Sequence, residues 1–188
     1  PRFFQNVFVG PGIGIEALAT TAGAYVAPDV EECHFRNLTT AVAIRVAQFP
    51  GVATAIGLIR SCNIEGCGTG VHASSAGSVQ NTLAVTVGLC RFADCGSGVY
   101  AETLNGVLGA APQDNVTVAN SVFIRCATGV KCNVQLVSGG GQDLAVSNST
   151  FVDCGFGVDC QALGSFTTQR TFSGLTIDAC TTGIRIDE

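Results

Sequence analysis

The chain repeats itself, and that repeat constrains its fold more than any other feature of the sequence. Cys62-Asn63-Ile64-Glu65-Gly66-Cys67-Gly68-Thr69-Gly70-Val71 lies over Cys90-Arg91-Phe92-Ala93-Asp94-Cys95-Gly96-Ser97-Gly98-Val99 position for position. The unit returns as Phe123, Cys126, Gly129 and Val130, as Phe151, Cys154, Gly157 and Val158, and as Ile177, Cys180, Gly183 and Ile184. Degenerate copies come first, one carrying Phe35, Leu38, Ala41 and Val42, the other Phe8, Pro11, Gly14 and Ile15. The period drifts between about 26 and 31 residues, as in a solenoid whose strands are fixed and whose turns vary.

Within each copy apolar residues alternate, as in Val116, Val118 and Phe123, which predicts short strands with one buried face. Such strands are too short to stand alone, so the copies stack and place like residues over like. Four inward columns follow. The first runs through Phe3, Val30, Ile59, Val87, Val118, Val146 and Phe172, and the second through Phe8, Phe35, Ile64, Phe92, Phe123, Phe151 and Ile177. Leu38, Cys67, Cys95, Cys126, Cys154 and Cys180 make the third, and Ile15, Val42, Val71, Val99, Val130, Val158 and Ile184 the fourth. The glycine just before the fourth column, as at Gly70, Gly98 and Gly129, is expected to take a corner conformation that a Cβ disfavours. The more polar segments Ala73 to Asn81, Glu102 to Asn115 and Gln135 to Asp143 read as the variable turns.

The length, 188 residues, suits one solenoid domain spanning 1–188 and long enough to bury a continuous core. Hydrophobic residues make up 47% and charged residues 12%, with 24 Gly and neither Met nor Trp, a profile of strand formers rather than helix formers. The net charge is -5 and no basic run occurs, so no nucleic-acid partner is expected. No apolar stretch approaches the roughly 18 residues of a membrane span. The opening at Pro1 fits a processed product or a fragment.

The rhythm Val-x-Val, then Phe/Ile-x-x-Cys, then x-x-Gly-Val resembles the right-handed parallel β-helix repeats of the pectate-lyase-like superfamily, over nearly the whole chain. The resemblance implies an all-β, single-stranded right-handed parallel β-helix of about seven coils. It implies no activity, because that superfamily includes lyases, hydrolases, epimerases, adhesins and structural proteins.

The ten cysteines fall into columns rather than pairs. Cys33, Cys62 and Cys90 sit five residues before the third column, which holds Cys67, Cys95, Cys126, Cys154 and Cys180, while Cys132 and Cys160 follow the fourth by two. Stacked residues on parallel strands hold their Cβ atoms nearly parallel at about 4.8 Å, longer than a disulfide prefers, so buried free thiols are expected. No Cys/His spacing suits zinc, and neither a metal nor another cofactor is expected. Sequons at Asn37, Asn115 and Asn148 permit glycosylation of an exported chain.

For chemistry, the outward positions after the fourth column carry Glu16, His72, Tyr100, Lys131, Asp159 and Arg185. His72, Tyr100, Lys131 and Asp159 on successive coils mark the place for an active site or a glycan contact, although alternating charge on a solvated ladder also serves solubility alone. A second outward row flanks the third column with Glu65, Asp94, Arg125, Asp153 and Asp178, and His34 is read as a surface residue. The Asp-Asp, Gly-His-Gly and Arg-x-Lys segments of polygalacturonase-like hydrolases and the Asp-His signature of pectate lyases are missing. Two Tyr and no Trp leave few platforms for sugars.

The last strand, Thr182 to Ile186, ends near Glu188, and Phe3 enters the register almost at once, so each end needs either further coils or another molecule over it. The expectation is a non-catalytic structural or adhesive β-helix, extracellular or at the cell surface, that associates end to end as a filament subunit. The alternatives are a polysaccharide lyase, hydrolase or carbohydrate-binding β-helix, and a fragment of a phage tailspike or large surface adhesin.

Overall fold

Three short strands per repeat each pair in parallel with their counterparts one repeat earlier and one later. The computed structural model, which describes residues 1–47, 52–76, 81–104, 113–135, 141–163 and 169–187, assembles these strands into three parallel sheets. No helix occurs among the described residues. Sheet 1 runs from Arg2–Phe4 through Asp29–Glu31, Thr54–Arg60, Thr82–Gly88, Gln113–Ala119 and Gly141–Ser147 to Arg170–Ser173, with Tyr25–Val26 added beside Thr54–Arg60. Sheet 2 consists of three-residue strands from Val7–Val9 to Thr176–Asp178, and sheet 3 of longer strands from Ile13–Ala19 to Thr182–Asp187. Each repeat contributes one rung to each sheet, and the chain makes about six turns.

The register is the one the columns predict. Phe3 pairs with Val30 and so on to Phe172 in sheet 1. Phe8 leads to Ile177 in sheet 2, and Ile15 to Ile184 in sheet 3. Rung spacing turns the second column into a stack of rings: Phe92, Phe123 and Phe151 lie centroid to centroid at 4.8 Å and within 7° of parallel. All three are fully buried.

The two corners that flank sheet 2 share one solution. The first residue beyond the strand is left-handed, with φ between 48° and 57°, at Gln5, Glu32, Ser61, Leu89, Asn120 and Asn148 before sheet 2 and at Asn37, Asp94, Arg125, Asp153 and Ala179 after it. The next residue, except Leu38 after Asn37, is a Cys, Ser or Asn whose side chain donates a hydrogen bond back. Cys62 Sγ lies 3.2 Å from Arg60 O, Cys90 Sγ 3.3 Å from Gly88 O and Cys95 Sγ 3.3 Å from Ala93 O. Ser121 Oγ and Ser149 Oγ do the same at 2.9 and 2.8 Å. These carbonyls already accept one backbone N–H from a neighbouring rung, as Arg60 O does from Glu32 N, so the thiol or hydroxyl serves the second lone pair. Cysteine is used here as a small apolar residue that can also donate.

Two expectations change. Gly70, Gly98 and Gly129 are not left-handed; what excludes a side chain is space, since a Cβ on Gly98 would lie 2.5 Å from the Phe123 ring and 2.7 Å from Gly129 O. Of the supposed turns at 73–81, 102–115 and 135–143, every described residue except Asn81 is strand. Sheet 3 continues to Ala76, Leu104 and Gln135, and sheet 1 resumes at Thr82, Gln113 and Gly141. Polarity misled because Ser75, Thr103, Asp114 and Gln142 are buried polar residues on inward positions. The residues between these strands lie outside the described ones.

Candidate functional site

The outer face of sheet 3 carries the predicted stripe in the predicted order. Glu16, Ala43, His72, Tyr100, Lys131, Asp159 and Arg185 are successive register partners. His72 and Tyr100 stack with centroids 5.0 Å apart and planes 4° from parallel, and Lys131 Nζ sits 5.2 Å from the Tyr100 centroid. Because the stripe runs along the solenoid axis, its side chains face one another across rungs, and the neighbours of Tyr100 on both sides lie against its ring.

Residues two places along the strands complete the network. Tyr100 Oη donates to Glu102 Oε1 at 2.8 Å, Asn133 Nδ2 donates to Tyr100 Oη at 3.5 Å, and Glu102 Oε2 stands 3.5 Å from His72 Nε2. Arg45 pairs with Glu16 at 3.2 Å. Burial and the Arg45 cation lower the His72 pKa below the ordinary imidazole value, against the pull of Glu102. Burial also raises the Tyr100 phenol, and Glu102 adds to the rise.

Asp159 departs from the reading of the stripe as a solvated ladder. It points outward, yet its side chain is only 5% exposed. Arg185 Nε and Nη2 donate to its two carboxylate oxygens at 2.8 Å each, and the same guanidinium lies 4.4 Å from the Phe156 ring centroid. A carboxylate withdrawn this far from water persists because a bidentate cation holds it.

The stripe is therefore occupied with itself. Glu102 serves Tyr100 and faces His72, Asp159 serves Arg185, and the Tyr100 ring that would stack a sugar lies between His72 and Lys131. Among the described residues no group of three or more His, Cys, Asp and Glu is arranged to hold a metal ion. What this geometry does chemically is bind rung to rung along the outside of sheet 3.

The second outward row splits into two. Glu65 and Asp178 end strands of sheet 2, whereas Asp94, Arg125 and Asp153 are the left-handed corner residues one place later. Arg125 holds Asp94 with two bonds of 2.7 and 2.8 Å, and Arg36 reaches Glu65 at 3.2 Å. His34 is outward and exposed. Asn37 and Asn148 sit at left-handed corners and Asn115 on the outer face of sheet 1, all three exposed.

All ten cysteines are free thiols; nine are buried and Cys180 is half-buried. The Cys95 thiol beside it lowers Cys67 to about 7. Cys95 is pulled down by Cys126, but Cys67 and burial outweigh that and raise it to about 11. Cys132 and Cys160 are register partners on sheet 3, and Cys132 Sγ donates to Gln142 Oε1 at 2.9 Å.

The buried polar residues Ser75, Asn81, Thr103, Asp114 and Gln142 went unrecognised in the sequence. Period two counted backward from Val118 and Val116 does place Asp114 inward, which was the available signal. Comparison with protein-family models, with curated proteins and with solved structures finds no match for this chain.

Proposed function

We propose that this chain is a non-catalytic structural β-helix, extracellular or at the cell surface, whose end rungs associate head to tail into a filament. Its repeat is of the right-handed pectate-lyase-like kind. What supports the reading is the geometry of the end rungs. Within the described residues, the rung of Arg2–Phe4, Val7–Val9 and Ile13–Ala19 pairs on one side only, as does that of Arg170–Ser173, Thr176–Asp178 and Thr182–Asp187. The inward apolar side chains of both are only partly covered: Phe3 and Phe8 are half-buried at one end, and Ile184 and Ile186 are 41% and 47% exposed at the other. Continuing the register from copy to copy sets Ile184 over Ile15, Ile177 over Phe8 and Phe172 over Phe3, and brings Arg185 beside Glu16. A heterologous contact of this kind does not close on itself, so it propagates.

The self-occupied stripe on sheet 3 speaks for a scaffold and against turnover or sugar stacking at His72, Tyr100, Lys131 and Asp159. Exposed sequons at Asn37, Asn115 and Asn148 fit an exported chain. Electron microscopy of the 188-residue protein over a range of concentrations tests the reading. Unbranched fibres of solenoid width are expected; monodisperse particles at every concentration overturn it.

A further inference from the structure

Asp114 stands on the inward face of sheet 1, in a column with Ala55, Leu83 and Gln142. Sheet 3 brings a second column against it, Val46, Ser75, Thr103 and Val134. Thr103 Oγ1 donates to Asp114 Oδ2 at 2.6 Å. Ser75 and Thr103 are fully buried, and Asp114 and Gln142 nearly so. Three atoms of this seam, Ser75 Oγ, Asp114 Oδ1 and Gln142 Nε2, have no hydrogen-bond partner among the described residues. Ser75 Oγ lies close enough to lower the pKa of the carboxyl, but without the geometry of a formed bond.

The Ser75 hydroxyl carries a proton of its own, so what the Asp114 carboxyl lacks is a compensating positive charge rather than a donor, and a carboxyl buried beside neutral hydroxyls favours the acid form. Among the described residues no cation acts on the Asp114 carboxyl. The neighbours in the two columns include Ala55, Leu83, Val46 and Val134, all uncharged. Cys132 reaches the seam through Gln142, to which its thiol donates at 2.9 Å. Arg170 lies on the inward face of the same sheet two rungs beyond Asp114, level with Leu144.

We propose that Asp114 is a protonation latch inside the solenoid: as the neutral acid it donates Oδ1–H to Ser75 Oγ while Oδ2 accepts from Thr103, tying sheet 1 to two successive rungs of sheet 3. Loss of that proton to solvent leaves a negative charge in the core faced only by the Thr103 and Ser75 hydroxyls, and the cost of burying that charge loosens the tie. Burial raises Asp114 from 3.8 to about 7, outweighing the opposing pull of the Thr103 hydrogen bond and the nearby Ser75 hydroxyl, so the latch works near neutrality. Between those two values the folded chain holds a proton that the unfolded chain has lost. Stability therefore falls as pH rises through the window and levels off above about 7.

Urea unfolding of the protein and of Asp114→Asn between pH 5 and pH 8 tests this. Asparagine offers the same carbonyl to Thr103 and a permanent N–H donor toward Ser75. The ratio of the two unfolding constants is expected to change about a hundredfold across that range, the parent losing stability relative to the variant as pH rises. Parallel profiles overturn the proposal. Should Asp114→Asn fail to fold, carbon-13 NMR titration of the carboxyl groups of the parent protein decides: a buried Asp titrating near neutrality is expected, and titration of Asp114 below pH 5 overturns the latch.

Discussion

His72 lies flat against Tyr100 one rung along the solenoid, their ring centroids 5.0 Å apart, and Lys131 lies against the same tyrosine ring from the next rung. The stripe that offered the best hope of chemistry is thus a set of axial contacts. Tyr100→Ala removes the stack, the cation contact and the bond to Glu102, and is expected to cost about 2 kcal/mol in urea unfolding. Tyr100→Phe keeps the ring and loses the bond to Glu102, and should cost less than about 1 kcal/mol. Equal losses in the two variants would show that the ring contacts contribute nothing.

The same stack gives stability a pH dependence of known sign. The folded state lowers the His72 pKa, through burial first and Arg45 second, so it disfavours the imidazolium relative to the unfolded chain. The associated stability is present above the ordinary imidazole value of 6.5 and is lost as pH falls through the lower folded value. His72→Gln should flatten the unfolding profile on the acid side of that value, and a profile unchanged by the substitution would contradict the assignment.

Glycines before the fourth column are expected to be the least replaceable small residues. On Gly98 a Cβ would sit 2.5 Å from the Phe123 ring and 2.7 Å from Gly129 O, so Gly98→Ala must displace a stacked ring or a backbone rung. A cost of about 3 kcal/mol follows. Gly88 supplies the control: a Cβ there meets only Ala119 O, at 3.8 Å, and Gly88→Ala should change stability by less than about 0.5 kcal/mol. Thermal unfolding of the two variants side by side separates crowding from any general intolerance of the strands.

Most of the architecture was legible because stacking forces chemical likeness: Phe over Phe and Val over Val recur at a fixed internal spacing, and parallel register followed from it. What could not be read was anything set by distance across the core. Gly98 announces itself as a repeat position, yet only the proximity of Phe123 says why. Asp114 carries the same letter as a surface acid, and its burial depends on Thr103 arriving from another sheet. Asp159 belongs to the predicted outward row, but its withdrawal from water depends on Arg185 folding over Phe156.

The corner rule makes a prediction about thiols. Ser121 and Ser149 fill the place of Cys33, Cys62 and Cys90 and bond the same kind of carbonyl, so Cys90→Ser should cost less than about 1 kcal/mol. Cys90→Val, which cannot donate, should cost more. In the native protein a thiol-specific disulfide reagent is expected to titrate Cys180 first and the other nine only on unfolding. Cys67 is the sharp case. Its neighbour lowers it to about 7, yet it is buried, so rapid native labelling of Cys67 would refute a closed core at this corner.

Asp159 and Arg185 join the last two rungs of sheet 3, and the pair is lopsided: the aspartate side chain is 5% exposed and the arginine 36%. Removing the arginine strands a buried carboxylate, whereas neutralising the aspartate leaves a cation that can turn toward water and Asp187, 3.4 Å away. Arg185→Ala is therefore expected to destabilise the protein more than Asp159→Asn. The double variant should be less damaged than the sum of the two, because the second change removes the charge that the first left unpaired. Additive losses in this cycle would mean that Arg185 acts through its contact with Phe156 rather than through the carboxylate.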